Sequence, residues 1–280
     1  MKKSLILSCL LVAASSSALA DSFIYGNSAG APTIYKIDST TGNVVTTYTN
    51  LSGENGRGVV VVGDTMYYTV ANTGSVYSYT LSTNTNNGVA FNIPGASGLS
   101  TIAFDGTNFY IGDYSGTNHV YHYTPTGTLL NTLSLSDCSA YCDGLEYFQV
   151  GSTGYLISNR GDTVGPYDVY NLDGTLKTAD FINATGSTTG IAFDGTDFFT
   201  SNIFNKSLSE WDGTTGAFIK TIPLIGETIG GQEIEDLSAD YSVVLGPPPA
   251  VPEPSTFILV GSSMIGLAGA VKRRFAGNKK

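Results

Sequence analysis

The chain has 280 residues, with 23 acidic and 13 basic side chains and a formal net charge of −10. The imbalance grows without the terminal segments, since residues 21–250 hold 22 Asp and Glu against six Lys and Arg, a net charge of −16. Such a surface repels nucleic acid and anionic lipid, and it suits a soluble extracellular protein that could attract divalent cations. About 230 residues suffice for one large all-β domain or two small ones.

The N-terminus has the three parts of a secretory signal peptide. Two lysines come first, an apolar run follows, and Ala18 and Ala20 frame an A-x-A cleavage site. We therefore expect signal peptidase to remove residues 1–20, so that the mature chain begins at Asp21.

The middle of the chain is repetitive. Short apolar runs alternate with polar residues and are bounded by Gly, Asp and Asn, which indicates an all-β domain. The segment 101–110 recurs at 190–199, a spacing of 89 residues, or two periods of about 44. Weaker copies at 59–68 and 144–157 keep the same register. The repeat therefore predicts one structural unit every 40–50 residues.

Each unit contains four predicted strands, which is typical of a β-propeller blade. Predicted third strands are 76–79, 120–123, 169–172 and 208–211, and fourth strands include 129–135 and 218–224. The innermost strands begin near Val59, Thr101, Leu145, Ile191 and Glu235.

Strand counting predicts how the ring closes. Residues 23–49 supply three strands and residues 236–245 supply one, so together they make a blade and leave no open edge. We expect residues 21–246 to form a propeller of five four-stranded blades. Six blades is the alternative if 181–190 or 225–232 contains further strands.

Two Asp-Gly pairs in the repeat are predicted turns. Asp105-Gly106 and Asp194-Gly195 each follow an apolar run. We expect two-residue type I′ hairpins with positive φ at both positions, which this pair of residue types tolerates.

The mature domain has two cysteines and two histidines. Cys138 and Cys142 are expected to form a local disulfide in an oxidising compartment. His119 and His122 lie three apart on a predicted strand and therefore face opposite sides, as ordinary sheet residues would. There is no G-x-S-x-G elbow, so no catalytic residue is assigned.

Acidic residues are predicted at the mouth of the central channel, near the start of the inner strands. The candidates are Glu54, Asp143, Glu146, Glu235 and Asp236. Such a ring could hold calcium through oxygen ligands, or it could be a solvated acidic rim. The strand-turn rhythm resembles NHL-type and gluconolactonase-like propellers, but no matching metal-ligand set can be placed, so no metal or other cofactor is assigned beyond this calcium.

The C-terminus has three parts in order. Residues 247–256 are a Pro-rich linker with the motif Pro252, Glu253 and Pro254, and residues 257–271 are an uncharged apolar run. A basic tail, 272–280, follows and begins with Lys272, Arg273 and Arg274. We expect 257–271 to be a transmembrane helix with the basic tail in the cytoplasm. The alternative is an ordinary C-terminal anchor on a Pro-rich stalk.

This three-part tail resembles the PEP-CTERM sorting signal of Gram-negative bacteria. The resemblance implies processing by an exosortase, transient anchoring in the inner membrane, and a final place at the cell surface or outside the cell. It also implies an organism that makes exopolysaccharide and biofilm. The propeller is then expected to be a non-catalytic binding or structural module, with exopolysaccharide or a surface protein as partner and no nucleic acid. The alternative is a secreted calcium-dependent enzyme of the lyase or lactonase type.

Overall fold

The computed structural model describes residues 22–53, 55–116, 119–136, 138, 142–160, 165–226 and 234–245. The chain divides into two units between Gly246 and Pro247, and all described residues belong to the first. They form twenty strands in five four-stranded antiparallel sheets and one helical turn. The five-bladed propeller is therefore confirmed, and the six-bladed alternative is wrong for the described part of the chain.

The strands follow one another with short turns. The first three are β1 (Phe23–Ser28), β2 (Ile34–Asp38) and β3 (Val44–Tyr48). Blade 1 consists of β4 (Gly56–Val62), β5 (Thr65–Val70), β6 (Ser75–Thr80) and β7 (Thr85–Asn92). Blade 2 consists of β8 (Leu99–Phe104), β9 (Phe109–Asp113), β10 (His119–Tyr123) and β11 (Leu129–Ser134). Blade 3 consists of β12 (Cys142–Val150), β13 (Thr153–Arg160), β14 (Tyr167–Tyr170) and β15 (Leu176–Ile182). Blade 4 consists of β16 (Thr188–Phe193), β17 (Asp197–Asn202), β18 (Ser207–Asp212) and β19 (Phe218–Pro223).

Blade 5 joins the two ends of the domain. Its inner strand is β20 (Ile234–Ser238), which pairs antiparallel with β1, and β2 and β3 complete the sheet. Gly26 lies opposite Leu237 and Asn27 opposite Asp236, and a bulge follows Asn27. The closure predicted by counting strands is therefore confirmed.

The blades surround a ring of inner strands. β4, β8, β12, β16 and β20 contact one another in that order, and β20 contacts β4 again. Every residue of β8 is buried, whereas β11 at the outer edge of the same blade is mostly exposed. The inner strands are covered on both faces and are therefore rich in apolar residues, as in VVVV of β4 and IAF of β8 and β16, whereas the outer strands are largely exposed.

Within the described residues, four apolar clusters fill the spaces between neighbouring blades. The largest joins blades 1, 2 and 3 and includes Val60 and Ile102, and the one between blades 3 and 4 includes Phe148, Phe198 and Trp211. The other two lie on either side of blade 5. Because each blade packs on two neighbours, opening any one blade exposes two apolar faces.

The inner strands also approach one another closely. A Cβ added to Gly190 of β16 would lie 2.5 Å from the Cα of Asp236 in β20. Only a residue without a side chain fits between two backbones at this distance, so Gly190 allows blades 4 and 5 to meet.

The predicted type I′ turns are wrong. Phe104 pairs with Phe109 and Phe193 with Phe198, so each loop has four residues rather than two. Only the glycines have positive φ, +93° at Gly106 and +99° at Gly195. Asp194 instead accepts hydrogen bonds from the backbone N–H of Thr196 and Asp197, both at 2.8 Å, and Asp105 does the same in its loop. An aspartate that binds its own loop favours this wider turn.

The helical turn α1 (Tyr241–Val244), which follows β20, is absent from the sequence prediction. Asp240 caps it by accepting a hydrogen bond from the N–H of Ser242 at 2.9 Å. Four residues are too few to give a helical period, but Asp240 is a recognisable N-cap residue.

The leader 1–20, the linker 247–256, the apolar run 257–271 and the basic tail 272–280 lie outside the described residues. Among those that the structure describes, no helix is long and apolar enough to cross a membrane.

Candidate functional site

Side chains of the closing blade bind the backbone of blade 1. Asp236 and Ser238 of β20, and Asp240 just beyond it, accept hydrogen bonds from the N–H groups of alternate residues in β4 and its turn. The donors are Val59 at 3.2 Å, Val61 at 3.1 Å and Gly63 at 2.8 Å. An unpaired inner edge would leave buried N–H groups without acceptors, and this ladder supplies them.

Asp236 belongs to the interior of the ring and not to its rim. Its side chain also accepts a hydrogen bond from Thr101 of β8 at 3.0 Å, so it joins blades 5, 1 and 2. The Oδ1 atoms of Asp236 and of its neighbour Asn27 are buried without a hydrogen-bond partner among the described residues. Burial, the dominant cause, raises the pKa of Asp236 well above its usual range, against the hydrogen bonds that Leu237, Thr101 and Val59 donate to it.

Glu146 was predicted at the mouth of the channel, but it lies in the interior of the domain. It is buried, accepts a hydrogen bond from the hydroxyl of Tyr241 in α1, and accepts two more from the N–H groups of Tyr147 at 2.7 Å and Phe193 at 3.1 Å. It therefore joins blade 3, blade 4 and α1. Burial raises its pKa well above the usual value, although these backbone hydrogen bonds act in the opposite direction. A glutamate used in this way is held by the fold and is not open to a ligand.

Two of the predicted acids do lie together at the start of the inner strands. Glu235 forms an ion pair with Arg57, whose side chain is 29% exposed. Burial, with the nearby charge of Glu235, raises the pKa of Asp143 to about 7, although Arg57 lowers it. Burial also raises the pKa of Glu235, against the effect of Arg57. Glu54 lies outside the described residues. No three Asp, Glu, His or Cys side chains of the described part are grouped as a metal site would require.

The cysteines and histidines have structural surroundings. Cys138 and Cys142 are joined by a disulfide, with 5.8 Å between their Cα atoms, at the start of β12. His122 stacks on Tyr110, with 4.3 Å between ring centroids, and its Nδ1 is 3.0 Å from Oδ1 of Asn131. His119 makes an edge contact with Tyr121. The two histidines thus pack within blade 2.

Two clefts lie beside blade 4, one at each face of the ring. The first lies between blades 3 and 4, and the second between blade 4 and the connection from β15 to β16. The aromatic cleft, about 560 Å³, is lined by Phe148, Tyr155, Phe181 and Phe193, and Lys177 lies with its Nζ 4.7 Å from the Tyr155 ring. It opens where the inner strands end.

The polar cleft, about 430 Å³, opens at the other face, where the inner strands begin. Alternate residues of β18 form its floor, namely Ser207, Ser209 and Trp211. Asn183 and Thr185 of the connection from β15 to β16 are at its edge.

The sequence analysis missed both clefts. A signal for the polar cleft was present, because Ser207 and Ser209 share one face of β18 with Trp211. The distance between that face and the connection from β15 to β16 cannot be read from a repeat, so the cleft itself could not be predicted.

Similarity to solved structures is confined to the fold. One match is titled a crystal structure of a nidogen/laminin complex, at 11% identity with a TM-score of 0.53, covering 77% of this chain and 97% of that one. Another is glutaminyl cyclase of Myxococcus xanthus, at 13% identity with a TM-score of 0.47, covering 71% and 76%. No similar sequence was found among curated proteins. The fold thus defines the class as a five-bladed β-propeller.

Residues 250–274 match the PEP-CTERM protein-sorting motif. The protein is therefore an exported propeller that an exosortase processes and sorts to the cell surface.

Proposed function

We propose that the propeller is a non-catalytic binding and structural module of the bacterial surface, with exopolysaccharide as its partner. The observation that carries the proposal is the hydrogen-bonded centre of the ring. Asp236 and Glu146, two of the acids that could have served a metal or a reaction, are buried and bound to backbone N–H groups and hydroxyls of neighbouring elements. Side chains held in this way support a rigid scaffold better than they support turnover.

The charge of the domain constrains the partner. A domain with a net charge of −16 repels acidic polymers, so it favours a neutral polysaccharide or an acidic one bridged by divalent cations. The motif at residues 250–274 brings the domain to the surface where such polymers accumulate.

Binding can be tested with residues 21–246, which contain all twenty strands of the closed ring. Soluble exopolysaccharide of the producing organism is titrated by calorimetry in the presence of calcium and in the presence of EDTA. We expect saturable binding. Binding only in calcium identifies an acidic polymer bridged by the cation, and absence of binding in both conditions contradicts the proposal.

A second function, a secreted calcium-dependent lyase or lactonase, is favoured by one observation. Asp143, with a pKa of about 7 beside Arg57 and Glu235, is suited to exchange a proton near neutral pH. Turnover of uronate polymers or lactones by residues 21–246, lost in Asp143→Asn, would establish this enzyme. Turnover that persists in Asp143→Asn, or none at all, would exclude it.

A further inference from the structure

The polar cleft has the composition of a site for an uncharged, hydroxyl-rich ligand. Its thirteen lining residues are Ser, Thr and Asn apart from Ala184, Trp211 and Phe218, and none is charged. None of the 28 charged side chains between residues 21 and 250 lines this cleft. Phosphates, carboxylates and metal ions would therefore find no opposite charge there, whereas a sugar hydroxyl can both donate to and accept from these side chains.

Several of these side chains are available to a ligand. Within the described part of the chain no hydrogen bond is made by the side chains of Asn183, Asn205, Ser209 or Thr221. Thr188, Thr200, Ser201 and Asn202 have structural partners: Oγ1 of Thr200 accepts from the indole N–H of Trp211 at 2.9 Å, for example. The cleft therefore combines fixed walls with unoccupied donors and acceptors, which is the arrangement that gives a pocket its specificity.

Two aromatic rings lie against these polar groups. Trp211 is 7% exposed and held by its indole N–H, and Phe218 beside it is 55% exposed, with 5.3 Å between the two rings. The face of an aromatic ring carries partial negative charge and attracts the C–H groups on one side of a sugar ring. Phe218 can cover such a face while the hydroxyls at the edge of the sugar meet the amides and hydroxyls of the cleft.

We infer that the polar cleft is a binding site for a neutral saccharide. Its volume of about 430 Å³ lies within the range of small-ligand pockets, roughly 300–1,000 Å³. Because the cleft opens to solvent, a polysaccharide chain can enter and leave it. The inference rests on the proposed function, which supplies the reason for a saccharide site. It places that site in the cleft between blade 4 and the connection from β15 to β16, and not at the channel mouth.

The chain contains a reporter for this site. Trp211 is its single tryptophan, so a change in tryptophan fluorescence on titration comes from the cleft itself. Residues 21–246 would be titrated with two neutral probes, a linear glucan oligosaccharide and a mannan oligosaccharide, and with the exopolysaccharide of the producing organism. Polygalacturonate serves as the acidic comparison.

Three variants locate the binding. Ser209→Asp places a charge on the floor of the cleft, and Phe218→Ala removes the exposed ring. Leu129→Ala is the matched control, because Leu129 is 50% exposed and occupies the equivalent position in blade 2. Leu129 of β11 pairs with Tyr123, as Phe218 of β19 pairs with Trp211, and each pair follows a register shift. Thermal unfolding of each variant checks that the fold is retained.

We expect a saturable change in fluorescence with a neutral probe or the exopolysaccharide, weakened roughly tenfold or more in Ser209→Asp and Phe218→Ala and unchanged in Leu129→Ala. Calorimetric binding without a fluorescence change, equally strong in all variants, would overturn the cleft as the site and leave the proposed function standing. A further variant, Tyr155→Ala, alters the aromatic cleft. If it weakens binding and neither polar-cleft variant does, the polar cleft is again overturned as the site and the proposed function stands. Absence of binding to every probe would overturn both.

Discussion

At the scale of single residues, the acids of the ring centre decide how the protein responds to pH. Glu146 and Asp236 are buried, and burial raises the pKa of each carboxyl well above its usual range. The pKa values of Asp143 and Glu235, near the start of the inner strands β12 and β20, are also raised. A carboxyl with a raised pKa keeps its proton in the folded chain at a pH where the unfolded chain has released it.

Stability should therefore fall as the pH rises. Below about pH 4 both states are protonated and the stabilising contribution is complete. The contribution of Asp143 is lost as the pH rises through about 7, its pKa in the folded chain, and the contributions of the other three acids are also lost in the direction of rising pH. Each additional proton bound by the folded state lowers the free energy of unfolding by about 1.4 kcal/mol per pH unit. Urea unfolding of residues 21–246 at several pH values between 4.5 and 7.5 measures this slope.

Glu146→Gln tests the cause of the slope. The amide cannot titrate, so the slope should flatten. It keeps one oxygen, which can replace Oε1 toward the N–H of Tyr147 or Oε2 toward the N–H of Phe193 but not both, so an offset in stability at all pH values is expected as well. Asp212→Asn is the control, since Asp212 is the half-buried last residue of β18, and hydrogen bonds from Thr215 and Thr214 lower its pKa instead of raising it. An unchanged slope in Glu146→Gln would show that this buried glutamate does not take up the proton.

At the scale of elements, the inner strands are the parts that tolerate least change. Each inner strand contacts the next around the centre of the ring. Gly190 lies so close to the Cα of Asp236 that there is no room for a methyl group. The outer strands, by contrast, expose large apolar side chains such as Leu129 and Phe218 without any such restriction.

Gly190→Ala should accordingly destabilise the domain by about 1–3 kcal/mol, the usual cost of overpacking. Gly165→Ala is the matched control, because an added Cβ there meets nothing within 4 Å. The midpoint of urea unfolding measures the difference. Equal midpoints for both variants would mean that blades 4 and 5 can separate at little cost.

The elements also show what a sequence can predict. The repeat of 101–110 at 190–199 fixed the blade period, because apolar alternation and a Gly turn recur together. The loop length was mispredicted. The side chain of Asp194 accepts hydrogen bonds from the N–H groups of Thr196 and Asp197, which favours a four-residue loop over a two-residue loop. An acid on an inner strand reads the same in sequence whether it points to a rim or to a neighbouring blade, so the burial of Glu146 and Asp236 could not be foreseen.

At the scale of the whole molecule, the ring depends on its last strand. β20 pairs with β1, and Asp236 and Ser238 of β20, with Asp240 just beyond it, accept from three N–H groups of blade 1 and its turn. It thus completes blade 5 and the interface with blade 1 at once, and the domain should fold as a single cooperative unit.

A chain that ends at residue 233 should therefore lose cooperative unfolding, while a chain that ends at residue 246 should keep it. The shorter chain exposes the apolar faces of blades 4 and 5 and an unpaired β1, so we expect aggregation or a molten state. Thermal unfolding followed by circular dichroism compares the two. A sharp transition in the shorter chain would show that four blades and three strands suffice.

The closing strand is also the place where a mechanical force enters the domain. Tension applied to the C-terminal end of the domain passes through α1 into β20. Tyr241 resists first, through its contacts with Phe104 and Glu146, before the ladder to blade 1 is stretched. A ring closed by its own C-terminal strand is thus opened by the same strand, and the force at which it opens is set by Tyr241 and by the acceptors Asp236, Ser238 and Asp240.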